Sequence, residues 1–149
     1  TVLSATRLPY RPSVATIANA MDVGDPSNFA RILDLYGRSL EAIRADISAA
    51  RYDDGQICRA IAETLERTGY LLDPHGACGY LALCEGLRED ETGVFLETAH
   101  PAKFRDRVEP VIGRSIEIPA RLAEFMRGKK LSVELPADFG AFRDFLMAK

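Results

Sequence analysis

The sequence predicts an α/β chain, mostly helical with a few short strands, and three observations carry that expectation. Apolar residues recur at steps of three and four over much of the length, and the Asp-Pro pairs at Asp25-Pro26 and Asp73-Pro74 read as helix starts. A single short apolar run, Gly93-Val94-Phe95-Leu96, reads as a buried strand. One convincing strand is too few for a sheet of its own. The run is therefore expected to join strands from sequence outside this chain, or to sit in a small sheet within a helical assembly.

The elements follow in order. Residues 1–14 hold Arg7, Pro9, Arg11 and Pro12 with little periodicity, so an irregular amino-terminal segment is expected. Asp25 supplies an N-cap and Pro26 a first helical residue. Phe29, Ile32, Leu33, Tyr36, Leu40, Ile43 and Ile47 then lay one apolar stripe, which predicts a single long helix to about Ala50. Asp53-x-x-Gln56 resembles a capping box, Ile57, Ile61 and Leu65 repeat every fourth residue, and Gly69 stands where a C-cap glycine belongs, giving a second helix over about 54–68. Asp73-Pro74 starts a third, carrying Cys78, Leu81, Cys84 and Leu87. Its Gly76 and Gly79 each cost roughly 1 kcal/mol against alanine, which implies that something needs their small size or a close approach. Pro101 starts a helix to about Ile112, a short one runs from Pro119 to Phe125, and Leu131-Ser132-Val133-Glu134-Leu135 is a second, weaker strand candidate. The last helix, Asp138 to Met147, puts Phe139, Phe142 and Leu146 on one face.

Composition excludes several function classes. At 149 residues and 47% apolar, the chain can bury one domain's core. Its net charge of −3 comes from 19 basic and 22 acidic residues spread along the length, without the clustered basic face that nucleic acid requires. No run approaches the ~20 apolar residues of a membrane span and no secretory signal opens the chain, so no membrane partner and a cytoplasmic location are expected. Cys58, Cys78 and Cys84 lack a Cys-x-x-Cys pair, and His75 and His100 lack metal-ligand spacing, so neither disulfides nor a metal site is expected. Cys78 lies one helical turn from His75, which makes a Cys–His nucleophile conceivable beside the plainer reading of a small buried thiol.

Four longer segments carry a resemblance. These are residues 15–29, containing Asn19-Ala20-Met21-Asp22-Val23; Asp73-Pro74-His75-Gly76-Ala77-Cys78-Gly79-Tyr80; Thr98-Ala99-His100-Pro101-Ala102-Lys103-Phe104; and Leu135-Pro136-Ala137-Asp138-Phe139. In order and spacing they resemble the carboxy-terminal part of threonine synthases, pyridoxal-phosphate enzymes related to tryptophan synthase β chains. The likeness covers about Arg11 to Met147.

The resemblance implies that the chain is the carboxy-terminal part of the large domain of a fold-type II enzyme. On that basis residues 15–118 belong to the cofactor-binding large domain and 119–149 form a helical extension. The full-length family converts O-phosphohomoserine and water to threonine and phosphate, with pyridoxal phosphate as electron sink. The family's Schiff-base lysine and Gly-rich phosphate loop lie upstream of the matched segments, and Lys103, Lys129, Lys130 and Lys149 do not occupy the lysine's place. No catalytic residue is therefore expected within the chain, which alone should be inactive and hold no pyridoxal phosphate. Thr98 is the candidate cofactor contact, a neutral hydroxyl beside the pyridine nitrogen, and it follows the apolar strand where ligands of open α/β sheets gather. Asn19, Met21, Asp22, His100 and Lys103 are candidate pocket residues. The amino-terminal cofactor domain would be a partner, and bare apolar surface would favour self-association. The alternative is a non-catalytic helical interaction module related to threonine synthase.

Overall fold

Local capping signals mark the starts of several helices of the computed structural model, which describes residues 12–148. Helix α1 is Phe29–Leu35 and α2 is Leu40–Asp46. The single long helix expected from the apolar stripe is thus two, and it starts at Phe29 rather than Pro26. The break has an identifiable cause. Gly37 and Arg38 have φ of 56° and 61°, Gly37 N–H donates to the Asp34 carbonyl, and Arg38 N–H donates to the Leu33 carbonyl. This is a Schellman termination, in which a left-handed glycine lets the last carbonyls of α1 find donors. Ser39 then caps α2 by accepting the Ala42 N–H at 3.2 Å.

Helix α3, Asp54–Thr68, matches its expected span. The Asp53 carboxylate accepts the Gln56 N–H at 2.8 Å, the Gln56 side chain accepts the Asp53 N–H at 2.9 Å, and Gly69 closes the helix at φ 75°. Helix α4, Pro74–Gly86, begins on the Asp73 cap with proline at its first position. A 3-10 turn, Pro101–Phe104, leads into α5, Arg105–Ile112. Helix α3 packs on both α4 and α5. Ile57, Ala60 and Ile61 of α3, Ala77 of α4 and Val108 of α5 are buried with Ile43 and Leu72. Each fully buried aliphatic side chain contributes about 1.5–3 kcal/mol.

The molecule divides between Glu117 and Ile118 into two units. The second carries α6, Ala120–Met126, and α7, Phe139–Met147, the latter capped by Asp138 accepting the Ala141 N–H at 2.8 Å. Of the irregular amino-terminal segment expected over residues 1–14, residues 1–11 lie outside the described residues.

No β-strand is present among the described residues, so the few short strands expected of an α/β chain are corrected to a helical architecture. The reason is visible at residues 93–99. Along residues 93–98 burial alternates, with Phe95 and Glu97 against α4 and Val94 and Leu96 open at 81% and 78% exposure. No backbone hydrogen bond joins them to another described residue. A strand is defined by the neighbour it pairs with, and none of the described segments is that neighbour. Residues 131–135 are exposed throughout and form no strand either.

Candidate functional site

Three of the segments singled out in the sequence converge on His75. At the start of α4 the Asp73 side chain, 0% exposed, accepts the His75 N–H at 2.8 Å through Oδ1, and the same oxygen takes the His75 Nδ1–H at 2.7 Å. His75 Nε2 accepts the Ala20 N–H at 3.1 Å from the 3-10 turn Asn19–Met21. Because Nε2 accepts, the proton of the neutral ring sits on Nδ1. The ring also lies against Phe104, 4.9 Å between centroids. Residues from 19–21, 73–75 and 104 are thus tied by one imidazole.

The Asn19–Met21 turn is held from its flanks. The Asp22 carboxylate accepts the Thr16 N–H at 2.8 Å and the Thr16 hydroxyl at 2.7 Å, which holds its carboxyl below the usual range. The Ile17 N–H donates to Asp54 at the first turn of α3.

Residues 93–97 run along α4 from Leu83 back to Gly76, and the closest passages fall at glycines. Gly76 faces the Glu97 carboxylate so closely that a Cβ would occupy the carboxylate's position, and Gly79 lies under Phe95, whose ring meets Tyr80 edge-on at 5.7 Å. The close approach expected from these two glycines is the passage of this segment. Glu97 Oε1 accepts the Asp73 N–H at 2.7 Å. Burial, reinforced by the nearby Asp73 carboxylate and opposed by the Asp73 N–H, pushes the Glu97 carboxyl up to about 7.

Thr98 is exposed, on the open side of the extended segment with Val94 and Leu96. Asn19 and Met21 are exposed on the 3-10 turn, and Asp22 is half-buried in its Thr16 contacts. His100 caps the Pro101–Phe104 turn, its Nδ1 accepting the Ala102 N–H at 3.1 Å, and Lys103 is exposed on that turn. The conceivable Cys–His nucleophile is not formed. Both His75 nitrogens are engaged by Asp73 and Ala20, the Cys78 thiol donates to the Pro74 carbonyl at 3.4 Å, and burial pushes that thiol up, away from thiolate. Sequence reasoning missed Glu97. Its signal was a carboxylate in phase with Phe95, where an inward apolar residue belongs.

Comparison with known proteins agrees with these segments. The family model described as "Threonine synthase, C-terminal" matches residues 76–146. The chain is 41% identical over 133 residues to the threonine synthase of Escherichia coli and 41% over 135 residues to that of Serratia marcescens, covering 89% and 91% of this chain but 31% of each relative. Among solved structures, threonine synthase from Escherichia coli superposes with a TM-score of 0.75 at 37% identity, over 99% of this chain and 34% of that one. PLP-bound threonine synthase from Brucella melitensis gives 0.76 at 28% identity, over 99% and 37%. The fold is therefore similar to that of about a third of these threonine synthases, one of which was solved with PLP bound. In sequence and structure the chain is similar to the carboxy-terminal part of threonine synthases, and it spans about a third of the length of the relatives it matches.

Proposed function

We propose that the chain supplies the carboxy-terminal part of a threonine synthase that converts O-phosphohomoserine and water to threonine and phosphate. The single observation that carries the reading is Thr98, an exposed hydroxyl on an extended apolar segment whose open side, Val94 and Leu96, is bare. A hydroxyl next to two aliphatic side chains fits one edge of a planar heteroaromatic ring, the apolar side chains excluding water while the hydroxyl meets the ring nitrogen. Pyridoxal phosphate, when bound, supplies the electron sink that the conversion needs. Thr98 would hold the ring without the full charge of a carboxylate partner. Asn19, Met21 and Asp22, on the turn fastened to His75, would border the same pocket, as would His100 and Lys103 just beyond Thr98. The amine that anchors the cofactor would come from the two thirds of the family's length that this chain does not match.

Exchanging the corresponding carboxy-terminal part of the Escherichia coli enzyme for this chain gives the test. The hybrid should release phosphate from O-phosphohomoserine, whereas this chain alone should release none. A folded, cofactor-loaded hybrid without turnover would instead favour a non-catalytic interaction module.

A further inference from the structure

We propose that Glu97 is a positioning residue, tying the extended segment to the first turn of α4 through a carboxyl–carboxylate contact with Asp73 and so setting where the neighbouring Thr98 stands. The bearing on the cofactor rests on the reading of Thr98 given above; the contact itself does not.

The geometry leaves two buried oxygens unaccounted for, Asp73 Oδ2 and Glu97 Oε2, neither of which has a hydrogen-bond partner. Two buried carboxylates facing one another would repel, and each bare oxygen would cost free energy. One proton removes both difficulties: carried by Glu97, it is donated to Asp73 and satisfies both oxygens at once. The remaining oxygens are already engaged, Glu97 Oε1 by the Asp73 N–H and Asp73 Oδ1 by His75. The charged and titratable groups that surround the pair agree with a retained proton. His75 on α4 and Tyr70 on the loop before it face the pair, Cys78 lies one turn on, and Asp22 and Asp54 bear on His75 and Cys78. None of these is a lysine or arginine that would favour a second carboxylate charge. Gly76 completes the arrangement, because any side chain there would expel the Glu97 carboxylate.

The sign of the pH dependence follows. Glu97 has an ordinary carboxyl in the unfolded chain and a raised one when folded, so its contribution is fully present at acid pH and is lost as pH rises through about 7. Glutamine reproduces both contacts without titrating, its oxygen accepting the Asp73 N–H and its amide donating to Asp73.

The experiment is a carboxyl-detected NMR titration of the 149-residue chain, followed by backbone amide shifts of Glu97→Gln, Glu97→Ala and Gly76→Ala. In the parent chain Glu97 should titrate near pH 7, with the Thr98 and Ala99 amides moving along the same curve. Glu97→Gln should abolish that movement and hold those amides at their low-pH positions, while Glu97→Ala and Gly76→Ala should displace them at every pH. Titration of Glu97 in the ordinary carboxylate range overturns the proposal, even if no variant folds. Amides of Thr98 and Ala99 that ignore the Glu97 titration also overturn it. Neither result touches turnover by the hybrid enzyme, so this proposal and the functional reading fail separately.

Discussion

The Thr98 hydroxyl is removed with least disturbance by valine, which keeps the branched shape and deletes donor and acceptor together. In the hybrid enzyme Thr98→Val should lower kcat about tenfold to a hundredfold, the worth of one hydrogen bond of roughly 1–3 kcal/mol, whereas Thr98→Ser should retain most of it. Steady-state phosphate release checks this, and equal rates for all three would remove Thr98 from the pocket. Cys78→Ala should leave turnover unchanged, because the thiol serves packing and a bond to Pro74. At this scale the sequence was uneven in what it disclosed. His75 stood out in a family-like segment and as half of a conceivable nucleophile, but nothing local reveals that its two nitrogens are claimed by Asp73, two positions back, and by Ala20, 55 residues away. Asp73 was legible as a cap but not as a partner of Glu97. That contact depends on how residues 93–99 cross α4, which is a tertiary fact.

Elements whose ends are written in neighbouring residues were legible. Asp53, Gln56 and Gly69 specify α3 completely, and Asp53→Ala should destabilise the chain by about 1 kcal/mol in urea unfolding, an unchanged midpoint contradicting the capping role. The α1–α2 break was equally written, in Gly37-Arg38-Ser39, but a continuous apolar stripe through Tyr36, Leu40 and Ile43 masked it. Periodicity reports which face is buried, and two helices in sequence can share one stripe when a Schellman turn preserves the phase. Gly76→Ala should cost stability through the displaced Glu97 carboxylate although alanine is the better helix former, by about 1–3 kcal/mol for the lost contacts, again measured by urea unfolding. The expected strands failed for a different reason. The apolar run Gly93–Leu96 was read as buried, yet only alternate side chains pack and Val94 and Leu96 are exposed; pairing needs a second segment, and no sequence window contains its own neighbour.

At the scale of the whole molecule, apolar side chains stand bare in both units: Val94 and Leu96 in the first, and Phe125, Leu131, Phe139 and Met147 in the second. A chain of 16.4 kDa with this much exposed apolar surface should associate at micromolar concentration, which size-exclusion chromatography with light scattering would register as a mass above the monomer's. A clean monomer on dilution would count against it. The bare side of residues 94–98 in the first unit fits the proposed reading of a chain that matches about a third of its relatives' length. On the reading proposed above, residues 93–98, which rest on α4 through Phe95 and Glu97, would pair as a strand with family sequence that this chain does not match. Hydrogen–deuterium exchange of the amides of Val94, Leu96 and Thr98 tests that claim most directly, read in the isolated chain and in the hybrid enzyme. The account predicts rapid exchange in the first and strong protection in the second, as pairing engages the free N–H groups; equal, rapid exchange in both would contradict it.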